Sequence, residues 1–233
     1  MSTFVSTAKK GVIITLTLYV DDLLLLGGNA LLLDMLKKLM RRFRMTDMGN
    51  VSLVLGMQVT RDRKKGILTI SQEDYTDSML ERFRMSECKP QSTPGLGPEL
   101  SLEQPERKLL VNVDKKRYQA ITGSFMYLTQ VNRYEILYEQ LLGLRRSLPR
   151  LTWLWRSSCR YLAGTMDFSI VYKRGGFQLT AFSDANWGNN DNGISMSSYI
   201  MMMASAPVGF TAGLQTLTTM STMEAERWQR RYQ

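Results

Sequence analysis

Two adjacent carboxylates, Asp21 and Asp22, sit in the run Tyr19-Val20-Asp21-Asp22 between two apolar stretches, Val12 to Leu18 and Leu23 to Leu26. The first is rich in β-branched residues and the second is all leucine; both predict strands, leaving room only for a tight reversal between them. A reversal that had only to turn the chain favours Asn-Gly or Asp-Gly, because those residues accept positive φ and do not repel one another. Two like charges at that point make better sense beside a cation. Hard divalent ions such as magnesium take carboxylate oxygens held close to a phosphate-bearing substrate. A solvated turn is the plain structural alternative for so short a motif.

Charge narrows the choice of partner. The 233 residues carry a formal charge of +9, and the pI is near 9.6, a balance that concentrates polyanions such as nucleic acid around the chain. The absence of histidine excludes Ser-His-Asp and Cys-His nucleophilic chemistry and leaves carboxylates with a metal as the main catalytic resource. Cys88 and Cys159 have neither the spacing of a zinc site nor the density of a disulfide framework, which fits a reducing compartment. Lys9 and Lys10 ahead of an apolar run have the outline of a secretory signal, but Asp21 and Asp22 interrupt the run. The stretch therefore reads as a buried strand of a cytoplasmic or nuclear protein that is not secreted and does not engage a membrane.

Farther along, Asn29 is placed to cap a helix in which Leu32, Leu36, Leu39 and Phe43 recur on one apolar side, with Lys37, Lys38, Arg41 and Arg42 on another. Val51 to Thr60 predicts one strand, with Gly56 marking a close backbone approach, and Lys64-Lys65-Gly66 predicts a hairpin turn into Ile67 to Ile70. Ser71 with Asp74 opens a helix to about Met85. Pro90, Pro94, Pro98 and Pro105, with Gly95 and Gly97, mark a linker. Residues 114 to 164 read as helical, with Tyr118, Ile121, Phe125 and Leu128 on one stripe. Strands follow at Phe168 to Lys173, Phe177 to Ser183, Met196 to Ala204 and Val208 to Ala212, with a turn at Gly175-Gly176. Ser221-Thr222-Met223-Glu224 is shaped like a capping box. The expected division is 1–88, a linker over 89–113, a helical part over 114–165, and 166–233.

The run from Leu18 to Gly27 resembles the Tyr-x-Asp-Asp palm motif of reverse transcriptases in the form carried by copia-type LTR retrotransposon polyproteins. Further downstream, Thr180-Ala181-Phe182-Ser183-Asp184-Ala185-Asn186-Trp187 and Ser221-Thr222-Met223-Glu224-Ala225-Glu226 resemble the start of the ribonuclease H of the same elements, in family order. Between them, Ser52 to Met57, Ser71 to Tyr75, Tyr118 to Ser124 and Arg160 to Thr165 look like pieces of its palm, thumb and connection. The resemblance implies an α+β fold: a partial reverse-transcriptase palm and thumb followed by an incomplete ribonuclease H-like mixed sheet. It further implies metal-dependent phosphoryl transfer, with Asp21 and Asp22 as one set of magnesium ligands and Asp184 and Glu226 as another, Glu226 being preferred to Glu224. In two-metal sites of this type the ions stand roughly 3.5 to 4 Å apart. The partners implied are an RNA template, an RNA–DNA hybrid or DNA duplex, and other element-encoded chains. Without the resemblance, Asp184 reads as a strand-end turn residue, and Glu224 and Glu226 as an acidic first helical turn.

The pattern also breaks. The family's palm uses a third carboxylate on an upstream strand, and the eighteen residues before Tyr19 leave that strand and the fingers expected to be absent. Seven residues follow Glu226, short of two further aspartates of a ribonuclease H. Arg133-Tyr134-Glu135 stands where the family reads Arg-Pro-Asp, while Glu139 to Ser158 and Arg227 to Gln233 do not resemble the helices expected there. The expectation is a truncated or frameshifted copy, inactive alone. The alternative is a non-catalytic nucleic-acid-binding remnant or pseudogene product.

Overall fold

The computed structural model describes residues 2–9, 12–28, 30–43, 45–94, 112–137, 148–175, 177–187, 195–216 and 219–231. They form a mixed α and β structure with three sheets, divided into compact units at Met1–Ser52 and Leu53–Gln233. The first unit is a three-stranded antiparallel sheet, β1 (Ser2–Lys9), β2 (Val12–Tyr19) and β3 (Asp22–Gly27), followed by α1 (Ala30–Met40) and a 3-10 turn over Arg41–Phe43. A strand, β1, precedes the motif. β1 runs antiparallel to β2 with Ser2 opposite Tyr19, and its Thr3, Phe4, Val5 and Thr7 suit a pleated surface. It contains no carboxylate.

The strands flanking the motif are less enclosed than their composition predicts. Thr15 to Thr17 and Leu23 to Leu25 are half-buried, while Leu18, Tyr19 and Leu26 are exposed. α1 packs on β3, and among the described residues of this unit no side chain is fully buried. Phe43, expected on the apolar stripe of α1, is 72% exposed, because the helix tightens at Arg41 and the 3.6-residue period ends there. The basic side is solvated: Lys38 pairs with Asp34 and Lys37 with Asp47, each at 2.9 Å. The Asn29 cap and the side chains of Leu32 and Leu39 lie outside the described residues.

In the second unit, β4 (Leu53–Val54), β5 (Met57–Asp62), β6 (Ile67–Ser71) and β7 (Ile170–Lys173) form one antiparallel sheet. The single strand expected over Val51 to Thr60 is a hairpin. Leu55 and Gly56 both have positive φ, +49° and +73°, and reverse the chain as a two-residue turn. The close approach at Gly56 is real: a Cβ there would meet the Tyr127 hydroxyl at 3.0 Å, and that hydroxyl donates to the Leu55 carbonyl. At the next turn, Asp62 Oδ1 accepts the backbone N–H groups of Lys64 and Lys65 at 2.9 Å each, and Gly66 takes φ +67°.

α2 (Glu73–Arg82), α3 (Asn112–Thr129) and α4 (Leu148–Gly164) supply the core. Ser71 Oγ accepts from Glu73 N at 3.2 Å, so Gln72 is the capping position and the Ser71–Asp74 box does not form. Met79, Leu80, Phe83, Ile121, Phe125, Leu128, Ile136 and Leu162 pack together, all below 5% exposed. The predicted stripe of α3 therefore faces this core, although the side chain of Tyr118 is outside the described set. Residues 148–158, part of the stretch read as helical although unlike the family's helix there, are helical. Pro149 stands in the first turn, where its missing N–H has no partner to lose. The first part of that stretch, 139–147, is not among the described residues, nor are Gly95, Gly97, Pro98 and Pro105. Lys89 and Gln91, on either side of Pro90, are pinned to α4: Gln91 N donates to Arg160 O at 3.1 Å, and Arg160 Nε donates to Lys89 O at 2.8 Å.

The third sheet, in order β10 (Ala206–Leu214), β9 (Met196–Met203) and β8 (Thr180–Asn186), precedes α5 (Thr222–Arg231). All its described pairings are antiparallel rather than mixed. β7 does not form a hairpin with β8 across Gly175; it pairs with β6 through Ile70 opposite Ile170 and Ile67 opposite Lys173. Apolar β-branched residues at the Ile70–Ile170 position give that pairing its cross-strand contact. α5 continues to Arg231, through residues expected to break the pattern. Among the described residues, no helix is long and apolar enough to cross a membrane.

Burial separates the two thiols. Desolvation raises the Cys88 thiol above its ordinary range and pushes fully buried Cys159 up to about 12. Since the thiolate is the reactive form, iodoacetamide at pH 8 is expected to label Cys88 slowly and Cys159 only after unfolding. Equal native labelling in a peptide mass map would contradict this packing.

Candidate magnesium-binding carboxylates

The β2–β3 hairpin places Tyr19 opposite Asp22, so Val20 and Asp21 are the two loop residues. Val20 takes φ +51° and is 71% exposed. A β-branched side chain in the left-handed region is a steric outlier costing on the order of 1–3 kcal/mol. Glycine or asparagine would form the turn with less strain. The ladders from Ser2–Tyr19 through Ile14–Gly27 offset that cost and hold the tip in place. Asp21 occupies the loop and Asp22 opens β3, both exposed.

Hard oxygen donors on a short turn fit a hard divalent ion such as magnesium. The fit is partial: among the described residues, no group of three His, Cys, Asp or Glu side chains could hold a metal. Asp21 and Asp22 would contribute two carboxylates, with water and substrate oxygens filling the remaining positions.

Asp184 lies within β8, opposite Ser198 of β9, rather than at a strand end, and is exposed. α5 packs against β8. At its start Ser221 Oγ accepts from Glu224 N at 3.2 Å, and the Glu224 carboxylate accepts from Met220 N at 2.7 Å. Glu224 is thus engaged in capping, with its box displaced by one residue, whereas Glu226 lies past the first turn, which holds Glu224 as its acidic residue, and is exposed. Trp187 Nε1 donates to Thr219 O at 2.9 Å, tying the end of β8 to the approach to α5. Asp21 and Asp22 belong to one compact unit, Asp184 and Glu226 to the other.

Sequence reasoning missed the buried Arg133, 1% exposed. Its Nε donates to Glu135 Oε1 at 2.7 Å, and its terminal nitrogens donate to the carbonyl and hydroxyl oxygens of Thr165. The guanidinium also lies 5.3 Å from the Tyr161 ring centroid and 5.7 Å from that of Phe168. Burial, and then the Glu135 charge, raise the Tyr161 phenol above its ordinary range, so Tyr161 Oη stays protonated and donates to Glu135 at 3.3 Å. The departure from the usual motif at Tyr134-Glu135 was the available signal.

A family model described as reverse transcriptase (RNA-dependent DNA polymerase) matches residues 2–97. A retrovirus-related Pol polyprotein from transposon TNT 1-94 of Nicotiana tabacum is 32% identical over 226 residues, covering 91% of this chain and 17% of that protein. The corresponding polyprotein from transposon RE1 of Arabidopsis thaliana is 32% identical over 243 residues, covering 97% and 15%. The chain thus spans about a sixth of these relatives' length. An uncharacterized mitochondrial protein of Arabidopsis thaliana is 30% identical over 217 residues, covering 91% of this chain and 88% of its own length. No solved structure matches the chain.

Proposed function

The chain belongs to the copia-type retrotransposon Pol polyproteins and carries a reverse transcriptase-like domain, and from that premise we propose that it binds nucleic acid and presents the carboxylates of two phosphoryl-transfer sites. The observation that carries the reading is the strained Val20 turn, which holds Asp21 and Asp22 together at an exposed hairpin tip. In the polymerase-type site these two residues would hold magnesium. In a ribonuclease H-like site, Asp184 and Glu226 would do so, with Glu224 left to cap its helix. Bound there, the ion would polarise a phosphoryl oxygen and stabilise the leaving oxygen. The protein's share is to fix the carboxylates: the β2–β3 ladder fixes Asp21 and Asp22, and the β8–β9 pairing fixes the backbone at Asp184.

The partial donor set favours a binding role for the chain on its own. With two carboxylates where a closed shell wants more, magnesium, which needs near-octahedral placement, is held loosely, and misplacement by even about 1 Å costs on the order of a hundredfold in rate. Fluorescence anisotropy on an RNA–DNA hybrid is expected to show sequence-blind binding that weakens steeply with salt through counterion release. Magnesium-dependent primer extension on an RNA template should not exceed that of an Asp21→Asn, Asp22→Asn double variant. Absence of binding at low salt would overturn the nucleic-acid reading. Strong extension abolished by the double variant would show that a closed catalytic site forms.

A further inference from the structure

We propose that the turn end of the β5–β6 hairpin, together with the end of β7, is a phosphate-gripping surface for the backbone of bound nucleic acid. This rests on the nucleic-acid-binding reading above and locates it. Arg61, Arg63, Lys64 and Lys65 crowd the β5–β6 turn, all exposed. β7 brings two more cations to the same end although they lie more than a hundred residues away in sequence. Lys173 pairs with Ile67 across the ladder, and Arg174 N donates to Gly66 O at 2.7 Å. Both Lys173 and Arg174 are exposed.

Against these six positive charges stands Asp62, and most of its capacity is spent on the turn itself. Its Oδ1 holds the backbone of Lys64 and Lys65, leaving a 4.0 Å contact from Oδ2 to Lys65 Nζ. Among the described residues, Arg61, Arg63, Lys64, Lys173 and Arg174 make no ion pair with a carboxylate. The lysines of α1 differ: Lys37 and Lys38 are each held by an aspartate at 2.9 Å.

The platform is also fixed. Gly66 leaves no room for a side chain, since a Cβ there would stand 2.5 Å from Arg174 Cβ. Lys173 N donates to Ala204 O at 2.8 Å and Tyr172 Oη to Pro207 O at 2.7 Å, so the basic end is anchored to the β9–β10 turn as well as to its own sheet. Charges gathered by a ladder on a firm backbone lose less conformational freedom on meeting phosphates than lysines on a loose tail. A sugar-phosphate backbone, with its closely repeated negative charges, is the polyanion that such a row suits.

The test compares the full chain with an Arg63→Gln, Lys64→Gln, Lys65→Gln, Arg174→Gln variant and with a control losing the same charge elsewhere, Lys37→Gln, Lys38→Gln, Arg41→Gln, Arg42→Gln. Circular dichroism confirms the fold of each, and anisotropy on an RNA–DNA hybrid is read across a salt series. The hairpin variant is expected to bind about tenfold or more weakly at 0.1 M salt. Its log–log salt slope should flatten by about 0.9 for each phosphate no longer neutralised, while the control stays close to the parent. Equal losses in the two variants would overturn the proposal by making the attraction one of net charge. Parent-like binding by the hairpin variant would overturn it while leaving the nucleic-acid reading intact, and failure of the parent to bind would end both. If the hairpin substitutions abolished binding to phosphatidylserine vesicles but not to the hybrid, the surface would be assigned to a membrane instead.

Discussion

Replacing Arg133 with alanine is expected to lower the stability of the Leu53–Gln233 unit by about 3 kcal/mol, a shift in melting midpoint of about 6 to 12 °C for a unit of this size. The loss has several parts. The Thr165 carbonyl keeps only its residual partners in a buried setting, Glu135 loses the cation 2.7 Å away, and the Tyr161 and Phe168 rings lose the guanidinium beside them. Glu135 is 28% exposed along its side chain, so water recovers part of its solvation and the effect falls short of that for a wholly buried pair. Arg133→Met should restore packing volume without the hydrogen bonds and recover less than half of the deficit. Urea denaturation of both variants checks this. A midpoint for Arg133→Ala indistinguishable from the parent would show that the buried cation is dispensable.

Phe125→Ala is expected to have the larger effect, about 3–5 kcal/mol. Phe125 is 0% exposed at the centre of the cluster that joins α2, α3 and α4. Three helices surround the ring, so none can close the void without giving up packing of its own. Since domains of ordinary stability have about 5–15 kcal/mol in hand, the variant should melt far below the parent and expose Cys159 to alkylation at neutral pH. A shift under about 1 kcal/mol in urea would mean that the neighbouring helices collapse into the space.

Local patterns were the legible part of this chain. The strands around Asp21 and Asp22, the Lys64-Lys65-Gly66 turn, the apolar stripe of α3 and the start of α5 depend on residues close in sequence. Features that depend on tertiary partners were not. Leu55 gave no sign of positive φ, since leucine rarely occupies that region, so a hairpin read as one strand. Residues 139–158 did not resemble the family's helix, yet 148–158 are helical, and Pro149 costs little in a first turn. The departure at Tyr134-Glu135 marked the segment, but arginine is seldom fully buried without a partner, so the burial of Arg133 showed only with Thr165 and Phe168 beside it. At the candidate site, the types and spacing of Asp21, Asp22, Asp184 and Glu226 could be read directly. The strain at Val20 and the engagement of Glu224 in its helix cap required coordinates.

The β6–β7 pairing also sets a schedule for synthesis. Ile70 and its partner Ile170 emerge about 100 residues apart, which at about 5–20 residues per second separates them by roughly 5–20 seconds on the ribosome. During that interval the β5–β6 hairpin has an open edge, and the inner face of α2 has yet to receive α4. Closing so distant a contact is slow even when the final pairing is stable. The nascent chain therefore passes through a window in which an unpaired strand and the Met79–Leu80–Phe83 surface are uncovered together. Yield in a cell should depend on how well that window is shielded by chaperones.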